Sequence, residues 1–177
     1  AQNWNPLGLE NIHVRYITVD KSAQETLYVG SGETNLDGGV YRSFNQGNTW
    51  EPVGISILGK KNVLDIAIDK NGIIYVTFLD HRENRDKDQY DVYLSQSIDG
   101  GKTFSKNIKL NDYSIPNYWG GRNPGDYLDM LSVGDSKIFV SYPCNQPPLS
   151  TNGIPNDACI STLLKPLPFE AQAPRGP

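Results

Sequence analysis

Short runs of alternating apolar and polar residues recur along the chain, and turn-forming residues separate them. Val14 and Tyr16 show a period of two, as do Leu27 and Val29, which is typical of half-buried β-strands. Segments such as Asp69-Lys70-Asn71-Gly72 supply the turns. The pattern predicts three groups of strands: His13–Val19, Thr26–Val29, Gly39–Ser43 and Thr49–Val53; Val63–Ile68, Ile73–Phe78, Asp91–Ser97 and Thr103–Leu110; and Leu128–Val133, Ile138–Tyr142 and Cys159–Leu164.

Four short antiparallel strands in each unit of about 50 residues are typical of β-propeller blades. We therefore expect an all-β fold with about three blades, the third lacking a clear fourth strand. The expected parts are an N-terminal arm (1–11), blade 1 (12–61), blade 2 (62–112), a partial blade 3 (113–165) and a Pro-rich tail (166–177). The tail is expected to be an extended arm or disordered, rather than the interior of a sheet.

One motif follows the third strand of the first two groups. It reads S-x-N/D-x-G-x-T-W/F, and its members are Ser43, Asn45, Gly47, Thr49 and Trp50, then Ser97, Asp99, Gly101, Thr103 and Phe104. The Asx side chain can accept backbone N–H groups within the turn, and glycine can adopt the positive φ that the turn needs. The aromatic residue is expected to pack between sheets. These residues are therefore predicted to be structural.

The motif and its flanks resemble the Asp-box, or BNR-repeat, family of sialidase-like β-propellers. Ile17-Thr18-Val19-Asp20 and Gly38-Gly39-Val40-Tyr41-Arg42-Ser43 look like parts of one blade, and Ile66-Ala67-Ile68-Asp69 begins the next. The resemblance covers about residues 12 to 142 and implies the fold more than the function. Sialidases bind the substrate carboxylate with three arginines and use an Asp acid/base with a Tyr–Glu nucleophile. Val14-Arg15-Tyr16-Ile17 lacks the proline of the family's first arginine motif, and no Tyr–Glu pair matches by motif.

Three blades do not close a ring, and an open stack of sheets exposes faces and edges. Two chains could form a six-bladed ring, the chain could be a fragment of a longer protein, or the arms could cover the open ends. The sequence leaves these readings open, with a homo-oligomer expected if the chain is complete.

The loops predicted at one end of the blades are long and rich in charged and aromatic residues. Such a concentration on a rigid scaffold is typical of a ligand site. The candidate ligand-binding residues are Glu33, Asp80, Arg82, Arg85, Tyr118, Trp119, Arg122 and Asp126, and the candidate catalytic residues are Arg15, Asp80, His81, Arg82 and Arg122. Aromatic rings can stack on sugars, and arginines can bind a carboxylate through two hydrogen bonds.

The net charge and the two cysteines limit the partners and the cellular location that we expect for the chain. The net charge of −4 argues against nucleic acid, and no apolar run is long enough to cross a membrane. The only two cysteines, Cys144 and Cys159, bracket a Pro-rich loop, which favours a disulfide and an extracellular or periplasmic location. The start Ala1-Gln2 would suit a mature N-terminus after signal cleavage.

Asp86, Asp88 and Asp91 are candidate calcium ligands, although their spacing differs from that of an EF-hand loop. No other cofactor or metal site is predicted. The sequence therefore predicts a secreted, non-catalytic propeller module that binds glycan or protein through its long loops. A sialidase-like glycoside hydrolase, or a fragment of one, is the first alternative, and a structural or assembly subunit is the second.

Overall fold

The computed structural model of the chain describes residues 8–23, 25–32, 38–54, 62–83, 89–116, 129–133, 137–144 and 157–172. These residues form β-strands and turns and no helix. The described ranges accordingly contain no helix suited to crossing a membrane.

The strands form three antiparallel sheets, each built from strands that are consecutive in the chain. Sheet 1 contains β1 (Val14–Val19), β2 (Leu27–Ser31), β3 (Gly39–Ser43) and β4 (Glu51–Val53). Sheet 2 contains β5 (Asn62–Ile68), β6 (Ile74–Asp80), β7 (Gln89–Ser97) and β8 (Ile108–Lys109), with β9 (Ile115–Pro116) also paired to β7. Sheet 3 contains β10 (Asp129–Val133), β11 (Lys137–Cys144) and β12 (Asp157–Leu164).

The predicted all-β class is confirmed, and each predicted strand has a counterpart in the structure. Two differences concern sheet 2. The strand predicted over Thr103–Leu110 is reduced to β8, because Thr103 belongs to the preceding turn through its hydrogen bonds to Asp99. The strand β9 was not predicted, because two residues are too few to show an alternating pattern.

Sheet 2 lies between the other two sheets and packs against each through one face. Alternate residues of a strand point to opposite faces, so each sheet has a front face towards the preceding sheet and a back face towards the following one. Tyr28 and Val40 on the back of sheet 1 meet Ile66 and Phe78 on the front of sheet 2. Tyr75, Val92 and Leu94 on the back of sheet 2 meet Met130, Ile138 and Val140 on the front of sheet 3. The core is therefore two layers of apolar side chains between three sheets.

The first strand of each sheet lies close to the first strand of its neighbour, since β5 contacts both β1 and β10. Gly30 on β2 allows β5 to lie close to sheet 1, because a Cβ atom there would lie 2.7 Å from Val63 Cγ1. We call β1, β5 and β10 the inner strands.

The two copies of the S-x-N/D-x-G-x-T motif form turns with matching backbone N–H bonds to the serine and Asx side chains. Gly47 N and Gly101 N each lie 2.8 Å from the hydroxyl of the motif serine, Ser43 or Ser97. The Thr49 and Thr103 N–H groups each donate to the Asx Oδ1 over 2.9 Å. Hydrogen bonds from Thr103 and Ser97 lower the pKa of Asp99 below its usual value, although burial alone would raise it. These hydrogen bonds hold the turns together, and a purely structural role for these residues stays a prediction.

The aromatic residues of the two motifs differ in their packing. Phe104 is fully buried in the core between sheets 1 and 2. Trp50 is only partly buried, and its Cδ1 atom would lie 3.3 Å from a Cβ atom built on Gly8. Trp50 thus lies against the segment that precedes β1.

Part of the Pro-rich tail is ordered and crosses sheet 2. Ser105 pairs with Ala171 in an isolated antiparallel bridge, and Gln172 N donates to Phe104 O over 2.9 Å. Gln96 Nε2 donates to Leu167 O over 3.1 Å, and Leu167 joins the core between sheets 2 and 3. Residues 167–172 therefore lie along sheet 2, and the extended arm expected over 166–177 stays a prediction.

Candidate functional site

Three residues at equivalent positions of the inner strands come together. Tyr16 pairs with Gly30, Asp65 with Thr77 and Asp129 with Ser141, and the pairing continues in the same register in all three sheets. In sheets 1 and 2 a register shift immediately precedes this position. Such bulges re-aim a side chain, and they often occur beside functional sites. We call Tyr16, Asp65 and Asp129 the inner-strand cluster.

Asp65 is the most enclosed member of this cluster, with 4% of its surface exposed. Its Oδ1 accepts the Ile66 N–H over 2.6 Å, and its Oδ2 accepts the Met130 N–H over 2.5 Å. Burial raises the pKa of Asp65 to about 7; the two N–H groups oppose the shift, and the charge and hydrogen bond of Asp129 add to it. The Asp129 carboxylate disfavours the charged form of Asp65, because like charges at contact distance repel each other. The cluster therefore holds a proton close to neutral pH.

Tyr16 lies within the field of both carboxyl groups. Burial raises the pKa of its phenol, and the charges of Asp65 and Asp129 raise it further. Arg15 opposes this shift, while its Nε donates to Gly32 O over 3.0 Å. Arg15, a candidate catalytic residue from the sequence, therefore bonds to the backbone at the edge of the cluster.

Sequence reasoning missed this cluster. The available signal was a carboxylate inside an apolar strand, repeated in the contexts Leu64-Asp65-Ile66 and Leu128-Asp129-Met130. The two aspartates occupy the same position in the first strands of two neighbouring sheets. Their carboxyl groups are expected to lie close together, because the first strands of neighbouring sheets contact each other.

One end of sheet 2, which we call the loop end, is where β6 ends at Asp80 and β7 begins at Gln89, and it contains the other described candidates. Arg82 Nε donates to Asp80 Oδ2 over 2.5 Å, and the Arg82 backbone N–H donates to Asp80 Oδ1 over 2.9 Å. The Arg82 guanidinium also lies 4.5 Å from the centre of the Tyr93 ring. Asp80 is buried. The two candidates therefore neutralise each other inside the loop.

A second set of charges at this end is also mutually paired. Glu83 accepts the Tyr93 hydroxyl over 2.8 Å and Lys109 Nζ over 3.0 Å, and both bonds lower the pKa of its carboxyl. Lys109 also lies 3.1 Å from Asp91 Oδ1, which accepts Asn111 Nδ2 over 2.9 Å. Burial would lower the pKa of Lys109, but these carboxylates raise it. Asp91, a candidate calcium ligand, is thus fully buried and bonded to protein groups.

Two ring side chains remain exposed at the loop end. His81 Nδ1 lies 2.8 Å from Gln89 O, and its ring packs edge-on against Tyr90 at 5.9 Å. Tyr113 is about half exposed, at 51%. The remaining candidates lie outside the described residues: Glu33, Arg85, Asp86, Asp88, Tyr118, Trp119, Arg122 and Asp126.

The opposite end of sheet 2, which we call the turn end, contains a cavity of about 250 Å³ beneath the tail. A buried ion pair lies beside it, with Lys165 Nζ 3.2 Å from Asp69 Oδ2. Asp69 Oδ2 also accepts the Tyr75 hydroxyl over 3.2 Å, and Asp69 Oδ1 accepts the Asn71 and Ile73 N–H groups. These polar groups bond to one another, so the cavity offers mainly apolar contact.

The described residues contain no group of three or more His, Cys, Asp or Glu side chains suited to a metal ion. The expected calcium site lies partly outside those ranges, and it stays a prediction.

Comparison with known proteins leaves the family open. No protein-family model matches the chain, and no curated protein matches it. Among solved structures, the chain is similar to a protein of unknown function from Dyadobacter fermentans DSM 18053, with 18% identity and a TM-score of 0.44. The match covers 78% of this chain and 34% of that one, so the chain spans about a third of its length.

Proposed function

We propose that the chain is a non-catalytic binding module built on Asp-box propeller blades, with a glycan as the preferred ligand class and a protein as the other. Three features support the propeller: consecutive antiparallel strands in each sheet, stacking in chain order, and contact between inner strands. The matching bonds of the two motif turns support the Asp-box assignment.

The pairing of Asp80 with Arg82 carries the non-catalytic part of this proposal. A catalytic arginine must present its donors to the substrate, and a catalytic carboxylate must reach the reacting atoms. Here the guanidinium of Arg82 bonds to Asp80 and packs on Tyr93. The pair stabilises the loop end as a rigid platform.

The aromatic and imidazole rings that are exposed at the loop end support glycan binding. Tyr113 and His81 present rings to solvent at the loop end. Flat rings with polar edges suit the apolar faces and hydroxyl groups of sugars. The excess of negative charge disfavours a strongly anionic polymer as ligand.

Binding to an array of sialylated and neutral oligosaccharides, followed by titration calorimetry on the array hits, tests this function. We expect Tyr113→Ala to weaken binding at least tenfold, because burying an aromatic ring on a ligand contributes roughly 1.5–3 kcal/mol. Ile98→Ala is the matched control, because Ile98 is similarly exposed but lies at the turn end. Saturable binding to no glycan on the array, or equal losses in the two variants, would contradict the proposal.

The sialidase-like alternative finds no support in the inner-strand cluster. Glycosidase carboxyl groups stand about 5 Å apart or more, so that a sugar or water fits between them. Asp65 and Asp129 share a hydrogen bond, which places them closer than that. Turnover of 4-methylumbelliferyl sialoside, lost on Asp65→Asn, would overturn the non-catalytic proposal.

We also propose the disulfide Cys144–Cys159 and the secreted location that it implies. Cys144 pairs with Asp157, and Cys159 pairs with Tyr142, so the two cysteines are diagonal neighbours on one face of adjacent strands. The described part of the chain contains no free cysteine. Mass spectrometry after alkylation without reductant should find no modified cysteine, and two modified thiols would exclude the bridge.

A further inference from the structure

The two outer faces of the three-sheet stack carry apolar residues that are buried at the equivalent positions inside it. Ile17, Ile66 and Met130 occupy the same register position, since they pair with Val29, Val76 and Val140. Ile66 and Met130 are 5% and 6% exposed because each packs on the preceding sheet. Ile17, in front of which the described residues form no sheet, is 62% exposed. The front face of sheet 1 thus has the chemistry of a junction.

The back face of sheet 3 shows the complementary pattern. Val40, Leu94 and Ile160 are equivalent, since they pair with Gly30, Thr77 and Ser141. Val40 and Leu94 are 2% and 0% exposed beneath the following sheet, whereas Ile160 is 67% exposed. Leu164, on the same face of β12, is also exposed.

The strands that carry these residues match the offset seen inside the stack. At the first junction, β5 contacts β1, β2 and β3, so the first strand of one sheet packs across the first three strands of the sheet before it. Ile17 and Val19 lie on a first strand, and Ile160 and Leu164 lie on a third strand. The two open faces therefore have the positions of the two halves of one internal junction.

We propose that a second copy of this chain packs the front of its sheet 1 onto the back of sheet 3, and that the reciprocal contact closes a dimer. A second copy fits because every internal junction packs a front face on a back face. The front of sheet 1 and the back of sheet 3 carry apolar residues at the same positions as those faces. Head-to-tail contacts between identical chains close into a ring when two of them form at once. Such a ring contains six sheets, with the inner-strand cluster present twice around its centre.

Light scattering tests this dimer, on the purified chain and on variants that introduce a charge at the proposed interface. The wild-type chain should have twice the monomer mass of 19.7 kDa. Ile17→Lys and Ile160→Asp should each raise the dimer dissociation constant at least tenfold, because each places an unpaired charge in both junctions. The double variant should recover most of the affinity, because each junction then contains both a lysine and an aspartate. Tyr113→Lys, at the loop end, should leave the mass unchanged.

The measured mass of each protein decides whether a second copy of the chain covers these two faces. A monomer at all concentrations up to 100 μM, roughly the range of weak association, would overturn the proposal, and so would an open polymer. A dimer unaffected by either single variant would place the interface elsewhere and would also overturn it. Circular dichroism of each variant, recorded as monomer, distinguishes lost association from lost folding. Glycan binding is measured separately, so failure of the dimer leaves the proposed function standing.

Discussion

The two junctions between neighbouring sheets both have apolar cores, but they differ in their polar and ionisable groups. The centre of the junction between sheets 1 and 2 is apolar, with Phe104, Val53 and Phe78 packed there. Its polar contacts are at the turn end, where the Arg42 guanidinium donates to Gly100 O and pairs with Glu51. The Tyr28 hydroxyl also donates to Gly100 O, and burial raises the pKa of this phenol.

The junction of sheets 2 and 3 contains ionisable groups at both ends. Asp65 and Asp129 lie at its inner side, and Lys165 pairs with Asp69 at the turn end. Burial, followed by the charge of Asp69, raises the pKa of the Tyr75 phenol at the same place. Tyr142 and Ser161 add hydrogen bonds from their hydroxyl groups to Leu110 O. Changes of pH should therefore act mainly on the second junction, whereas loss of volume should act most on the first.

Phe104→Ala should cause the largest loss of stability, because it empties the centre of the first junction. Truncating a fully buried phenylalanine typically costs about 4 kcal/mol of unfolding free energy. Chemical denaturation followed by tryptophan fluorescence measures the change. Phe44→Ala is the control: Phe44 is exposed, and it contacts the Arg42 guanidinium at 4.3 Å, so its loss should cost less than about 1 kcal/mol. Equal losses would show that Phe104 does not support the junction.

Lys165→Met should have the next largest effect, at the second junction. It removes the cation beside the buried Asp69 carboxylate, and breaking a buried ion pair on one side costs about 3 kcal/mol. Lys106→Met breaks an exposed pair with Glu170 on the same tail and should change stability little. If both variants unfold at the same denaturant concentration, the tail pair contributes nothing particular to the junction.

The sequence predicted the strands better than the contacts between sheets. The alternation around Val14–Val19 and the Gly-containing turn after Ser97 are local signals, and they located β1 and the end of β7 correctly. Junction contacts join residues far apart in the chain, as in the hydrogen bond from Met130 N to Asp65. No local pattern encodes such a pair, so only the packing of the sheets in the structure reveals the inner-strand cluster.

The candidate site was predicted in part for a similar reason. Charge and ring content indicated the loop end, and His81 and Tyr113 are exposed there. The sequence could not show that Arg82 folds back onto Asp80, because the geometry of a turn decides whether neighbouring charges pair or point outward.

Asp129→Asn should reduce the pH dependence of the second junction. Asp65 has a folded pKa of about 7 and an unfolded value near 3.8. The folded state therefore binds more protons between these values, and the free energy of unfolding falls as pH rises from about 4 to about 7, then levels off. An amide at position 129 removes a negative charge and donates a hydrogen bond, so it lowers the pKa of Asp65.

Denaturation midpoints measured from pH 4 to 8 test this effect. The Asp129→Asn chain should lose less stability across the range, and at pH 8 it should exceed the wild type by about 1 kcal/mol, equivalent to roughly one pKa unit. Asp112→Asn changes an exposed carboxylate in the loop after β8 and should keep the wild-type slope. Parallel slopes in all three proteins would exclude the effect of Asp129 on the Asp65 pKa as the source of the pH dependence.

Arg42→Lys should have the smallest effect, and it tests whether the polar end of the first junction depends on geometry or on charge. The arginine uses one arm for Gly100 O in the next sheet and another for Glu51 in its own sheet. A lysine keeps the charge but cannot span both acceptors in this planar arrangement. The expected loss is about 0.5–1 kcal/mol, the net contribution of one hydrogen bond, and it should be constant between pH 5 and 8. A loss that varies with pH in this range would mean that ionisation reaches the first junction as well, and the contrast between the two junctions would then fail.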